Sequence, residues 1–185
     1  MKKNNNINNG KEDLLVSANH IYFYADVTVE SCLQLNALLR ELNADRKVKN
    51  IYLHIYSYGG DLMGAFAVVD TIRRCSKQVI SIVEGYAASA ATLISSACHK
   101  RRITENSFML IHEMRSGREY LQHSKVEERL QNDRKYMEKL IAHYEKYTII
   151  PRGQLEEMLK KDVDLDAREC VRWGLVDEIA GKIKK

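Results

Sequence analysis

The chain has 185 residues, 45% of them hydrophobic and 29% charged, which suits one globular core and excludes a disordered or fibrous protein. Its formal net charge of +4 is modest, and Lys and Arg are interspersed with Asp and Glu, which argues against nucleic acid as a partner. No apolar run approaches the ~20 residues that cross a bilayer, and the opening MKKNNNINNG has no signal-peptide core, so a cytoplasmic place with no membrane partner is expected.

Residues 1–19 read as a flexible tail, because the Asn-rich opening has too few apolar groups to offset the entropy of ordering it. Residues 20–185 read as one domain, since no Gly-, Ser- or Pro-rich linker and no solenoid repeat interrupts them. HIYFYADV has strand character, and Leu33, Leu35, Leu38, Leu39 and Leu42 mark a helix after it. IYLHIYS alternates aliphatic Ile51, Leu53 and Ile55 with Tyr52, His54 and Tyr56, a strand with two unlike faces. Gly59 and Gly60 end it. From Asp61 to Cys75 the apolar positions return to helical spacing, with Asp61 as cap.

QVISIVEG then reads as a covered parallel strand, AASAATLISSAC as a buried helix and FMLIH as a further strand. Alternating strands and helices with short connections imply an α/β fold with a largely parallel sheet. A long charged helix is expected over about Glu119 to Tyr147, and Pro151 can open the next one. The cysteines Cys32, Cys75, Cys98 and Cys170 are scattered without CxxC spacing and read as reduced core thiols. Cys98 and His99 are adjacent, a poor geometry for one metal ion, so no metal site is expected.

The segment with chemical potential is Gly85 to Ala91, where an apolar strand gives way to a helix at Ser89. Backbone N–H groups at a helix start lack intrahelical partners and favour an oxyanion. Serine there is more commonly a simple N-cap. Small neighbours Ala87, Ala88, Ala90 and Ala91 nevertheless leave room for a substrate backbone, and Gly59-Gly60 adds a second turn whose N–H groups can face a ligand. A serine nucleophile needs a base, and His112 follows a strand end on the same expected side of the sheet. The base needs an orienting carboxylate, for which Asp162, Asp164 and Asp166 all stand in one downstream loop and spacing does not choose among them.

These segments resemble the Clp protease proteolytic subunit family. IYLHIYSYGGDLMGAFAVVDTIRR is similar to its strand, SPGG turn and helix, with Tyr58 in the place of proline. EGYAASAATLI resembles its GxAAS nucleophile segment, FMLIHE its MIHQ strand, and KKDVDLDARECVRWGLVDEI the segment carrying the catalytic aspartate. The resemblance implies a Clp/crotonase-like βαβ superhelix with a protruding handle at about 113–147. It implies a serine endopeptidase with Ser89 as nucleophile, His112 as base and Asp162, counted back from GLVD, as its partner. Backbone N–H groups of Gly60 and Ala90 would form the oxyanion hole, with Gly59 and Leu62 binding substrate.

The same resemblance implies a homo-oligomer of stacked heptameric rings that encloses peptide or unfolded-protein substrates. It implies no cofactor in this chain. ATP would be used by a partner AAA+ unfoldase, since the sequence has no GxxxxGK[ST] phosphate loop. Competing readings are a ring-forming subunit without activity, a crotonase-type acyl-CoA enzyme, and a Ser/Lys peptidase that would dispense with His112 and Asp162.

Overall fold

The computed structural model describes residues 14–115 and 123–181. Residues 1–13 of the expected tail and 116–122 of the expected handle region lie outside them. The remainder of the tail is not loose: β1 (Leu15–Ser17) pairs antiparallel with β2 (His20–Tyr24).

After β2 come α1 (Val29–Ala44), β3 (Asn50–Ser57), α2 (Leu62–Arg74), β4 (Gln78–Ala88), α3 (Ala90–Ser96), β5 (Lys100–Ile103) and β6 (Phe108–Leu110). The chain closes with α4 (His123–Tyr147), α5 (Arg152–Leu159), β7 (Leu165–Asp166), α6 (Ala167–Arg172) and β8 (Glu178–Ile179). All strands share one mixed, mostly parallel sheet of order β1-β2-β3-β4-β5-β8, with β6 joined to β4 and β7 joined antiparallel to β6.

Local chemistry sets the element ends. Thr28 caps α1 through a reciprocal capping box with Ser31, and the Asp61 carboxylate accepts from Gly64 N at the start of α2. The alternation read in β3 is real: Ile51, Leu53 and Ile55 are fully buried, as are Ile21 and Phe23 on β2. Helices α1, α2 and α3 join this face in one apolar core. Burying a side chain of this type contributes about 1.5–3 kcal/mol, so this strip contributes substantially to the stability of the fold. The opposite face carries a stacked row in which the His20 ring lies 4.6 Å from Tyr52, and Tyr22 lies 4.5 Å from His54.

Strand β4 is longer than its sequence signal. Its first half pairs with β5 and its last residues, Tyr86 to Ala88, pair with β6. Between them the register against β3 shifts, so Ile55 faces Val83 but Ser57 faces Ala87. This bulge swings the end of β4 away from β5 and toward β6, and so carries Ser89 beside the strand that leads to His112.

Candidate active site

The strand continues through Ala88 and the helix begins at Ala90, which leaves Ser89 alone to make the turn. Its backbone has φ 55° and ψ −126°, a left-handed conformation that costs an ordinary L residue about 1–3 kcal/mol. A strand, one strained residue and a helix form a nucleophile elbow, which lifts the side chain clear of both elements. Ser89 occupies the N-cap position, yet its hydroxyl makes no capping hydrogen bond. The commoner role of a serine at a helix start is therefore not the one observed.

Backbone bonds around Ser89 determine which N–H groups are spare. Ser89 N donates to Leu110 O at 2.8 Å, so that group is consumed by the neighbouring strand. Ala90 begins the helix and its N–H has no intrahelical acceptor. Across the cleft, Val27 N donates to Gly59 O at 2.8 Å and Asp61 N donates to Val27 O at 2.7 Å, a parallel bridge centred on Gly60. Successive N–H groups of an extended chain point to opposite sides, so that of Gly60 is turned away from Val27.

Both turn glycines are sterically required. A Cβ on Gly59 (φ +93°) would sit 2.7 Å from Ser89 Cβ and 2.6 Å from Ala88 O. One on Gly60 (φ +141°) would run into the Val27 carbonyl.

The Ala88–Leu110 register brings the continuation of β6 alongside Ser89. His112 Nδ1 donates to Glu113 O at 2.6 Å, the bond that assigns the Nδ1–H tautomer and leaves the Nε2 lone pair available as a base. Glu113 N donates to Leu159 O at 2.8 Å, which ties this segment to the end of α5 and the acidic loop. The three carboxylates of that loop are differently engaged. Asp166 caps α6, and Asp164 accepts from Tyr86 OH at 2.7 Å. Burial, with Asp164 beside it, raises the Tyr86 phenol well above its ordinary value. Asp162 is exposed and accepts from Arg115 Nη2 at 2.5 Å.

Ser89, Ala90, Gly60, Leu62 and His112 line one cleft of ≈ 470 Å³, together with Met63 and Met114. Asp162 is not part of that lining, although its partner Arg115 is. The cleft thus gathers Ser89, His112, Gly60, Ala90 and Leu62 of the expected residues, while Gly59 packs behind it against Ala88 and Ser89 and Asp162 is paired with the Arg115 guanidinium.

The far wall comes from α4, through Arg129, Asp133, Tyr136 and Leu140. The sequence reading gave no role to Arg129, Asp133 or Tyr136. Their spacing of four and three, continued by four to Leu140, is one helical face and was legible. A second unrecognised feature supports the elbow from behind. Thr92 Oγ1 donates to Ser89 O at 2.6 Å and lies 2.6 Å from the OH of Tyr144, which is fully buried. Thr92 has a single hydroxyl proton, so Tyr144 is the donor to Thr92. One turn away, Ser96 Oγ lies 2.8 Å from His143 Nε2, and burial, with Lys146 nearby, lowers His143 to about 4.

The thiols offer no competing nucleophile among the described residues. Burial pushes Cys32 to about 11 and Cys98 and Cys170 to about 12, and it raises Cys75 as well. Among the described residues there is also no cluster of three or more His, Cys, Asp or Glu able to hold a metal ion. No helix among them is long and apolar enough to cross a membrane.

Known proteins are similar to this sequence. The model of the Clp protease family matches residues 3–182. The chain is 34% identical over 149 residues to the ATP-dependent Clp protease proteolytic subunit of Streptococcus mutans, covering 77% of this chain and 74% of that one. It is 35% identical over 149 residues to the ATP-dependent Clp protease proteolytic subunit 2 of Treponema denticola, covering 77% and 70% respectively. With the ATP-dependent Clp protease proteolytic subunit of Oltmannsiellopsis viridis it shares 30% identity over 162 residues, 86% of this chain and 83% of the other.

Proposed function

Because the chain belongs to the Clp protease family, we propose that it is a serine endopeptidase subunit in which Ser89, His112 and Asp162 act as a catalytic triad. The observation that carries this is the strained, uncapped Ser89 sharing one cleft with His112 and with two backbone N–H groups.

In the proposed mechanism, an extended peptide lies along the Gly59 turn with a side chain against Leu62. Ser89 Oγ attacks the scissile carbonyl carbon while His112 Nε2 takes the hydroxyl proton. The carbonyl oxygen, now anionic, is received by Gly60 and Ala90 N–H, and loss of either donor would cost ~10²-fold or more in rate. His112 passes its proton to the departing amine, which leaves an ester on Ser89. Water then attacks that ester, gives a proton to His112, and Ser89 regains it as the acid product leaves. Asp162 takes the place of Glu113 O as the acceptor of Nδ1–H and stabilises the imidazolium. The chemistry draws on side chains, backbone amides and water alone.

Assembly into rings is supported by α4. Its end docks through buried Leu140, Ile141 and Tyr144, while Val126 and Leu130 on its earlier turns are 44% and 52% exposed. An apolar stripe of that kind is suited to the same helix of another copy. The relatives' names join proteolysis to ATP, and a separate unfoldase would supply the nucleotide site. Deeply buried thiols of high pKa suit a reducing, cytoplasmic setting.

Labelling with a fluorophosphonate tests the assignment. It should modify the protein once, at Ser89, and Ser89→Ala should abolish both labelling and peptide hydrolysis. His112→Ala should reduce both by ~10³-fold or more. Undiminished turnover in the histidine variant would transfer the chemistry to a lysine base.

A further inference from the structure

The cleft wall formed by α4 sets a carboxylate beside apolar side chains. Leu62, Met63, Tyr136 and Leu140 supply apolar surface, and Asp133 stands among them on α4. Its side chain is 20% exposed, but Oδ1 is out of contact with water and has no hydrogen-bond partner among the described residues. Arg129 Nε lies 3.3 Å from that oxygen, a charge contact without hydrogen-bond alignment. Among the described residues this oxygen is thus held by charge alone, and a donor arriving from the cleft would give it the hydrogen bond it lacks.

We propose that Asp133 is a specificity-determining residue that receives a lysine or arginine side chain of the substrate, at the residue whose carbonyl Ser89 attacks. The inference rests on the peptidase reading of Ser89 and names the substrate class for it. A long basic side chain matches the wall in both of its parts: the methylene stem lies on Leu62, Tyr136 and Leu140, and the cationic tip meets the carboxylate. A charged donor is favoured over a neutral one because a charge-assisted hydrogen bond is roughly twice as strong. The cleft is deep enough in volume, at ≈ 470 Å³, to hold a side chain and the flanking backbone. Arg129 offers Asp133 a charge contact but no aligned hydrogen bond. Arg115 is committed to Asp162, and the Arg129 side chain is 43% exposed, so it has water to turn to when a substrate cation enters.

The test uses the full chain and three fluorogenic peptides that differ only in having Lys, Leu or Glu before the scissile bond. The Lys peptide should have the highest kcat/KM and the Glu peptide the lowest. Asp133→Asn, which keeps the shape of the side chain, should reduce the Lys:Leu ratio of kcat/KM by at least ~10-fold. Arg129→Gln should raise that ratio by removing the competing cation. A Lys:Leu ratio that Asp133→Asn leaves within twofold, with the Leu peptide still cleaved, overturns the proposal while the peptidase reading stands. A ratio that falls in Arg129→Gln overturns it too. If no peptide is cleaved and the fluorophosphonate leaves Ser89 unmodified, the peptidase reading itself fails and this inference falls with it.

Discussion

Tyr144→Phe isolates the support behind the elbow. The phenol donates to Thr92 Oγ1 across 2.6 Å, and Thr92 in turn donates to Ser89 O across 2.6 Å. Removing one oxygen from a residue that is 1% exposed leaves the ring in place, opens almost no cavity, and leaves the buried Thr92 oxygen without its donor. The lost bond and the unsatisfied acceptor together cost about 1–2 kcal/mol. For a chain of this size each kcal/mol lowers Tm by roughly 2–4 °C, so a decrease of about 2–8 °C is expected. The Ser89 carbonyl is then held less firmly, and a small fraction of an ångström at the nucleophile is expected to reduce kcat by ~5–20-fold. KM should not change, because Tyr144 does not line the cleft. Thermal melts and steady-state kinetics on a leucine peptide read both effects. A double-mutant cycle with Thr92→Val separates a shared chain of hydrogen bonds from independent packing. Since both changes break the same link, the double variant should be no worse than Thr92→Val alone, to within about 0.5 kcal/mol. Simple addition of the single losses, or a kcat untouched by either change, would refute the coupling.

Two further outcomes follow from groups near the site. Arg115→Gln releases Asp162 toward His112 and should raise kcat on a leucine peptide, but by no more than ~5-fold, since an exposed ion pair such as this one contributes about 0–1 kcal/mol; a decrease would mean that Arg115 orients Asp162 and does not divert it. His143 is lowered from 6.5 to about 4, so between those values the unfolded chain binds the proton and the folded chain resists it. Stability should therefore decline as pH falls from ~6.5 to ~4, by up to about 3 kcal/mol from this group, with no further loss below. His143→Gln, which can still bond Ser96, should flatten that limb in urea melts, and an unchanged pH profile would place the acid sensitivity elsewhere.

The amino-acid sequence by itself determined the parts of this protein that depend on neighbours along the chain. Two-residue alternation in Ile51, Leu53 and Ile55 made β3 and its buried face legible, and helical spacing after Asp61 did the same for α2. The motifs around Ser89 and His112 were equally plain, because an elbow needs small residues and a glycine turn beside it. Tertiary structure alone decided what depends on partners distant in sequence. Strand β5 was hidden because Lys100, Arg101 and Arg102 look like a solvated end, yet pairing with β4 and β8 makes them a strand. The bulge in β4 that turns Ser89 toward β6 has no signature in spacing. Nor could spacing separate Asp162, Asp164 and Asp166: only packing gives Asp164 to Tyr86, Asp166 to α6 and Asp162 to Arg115. Local periodicity fixes which face of an element is apolar, whereas the partner of a polar group is whichever donor or acceptor the folded backbone brings within about 3 Å.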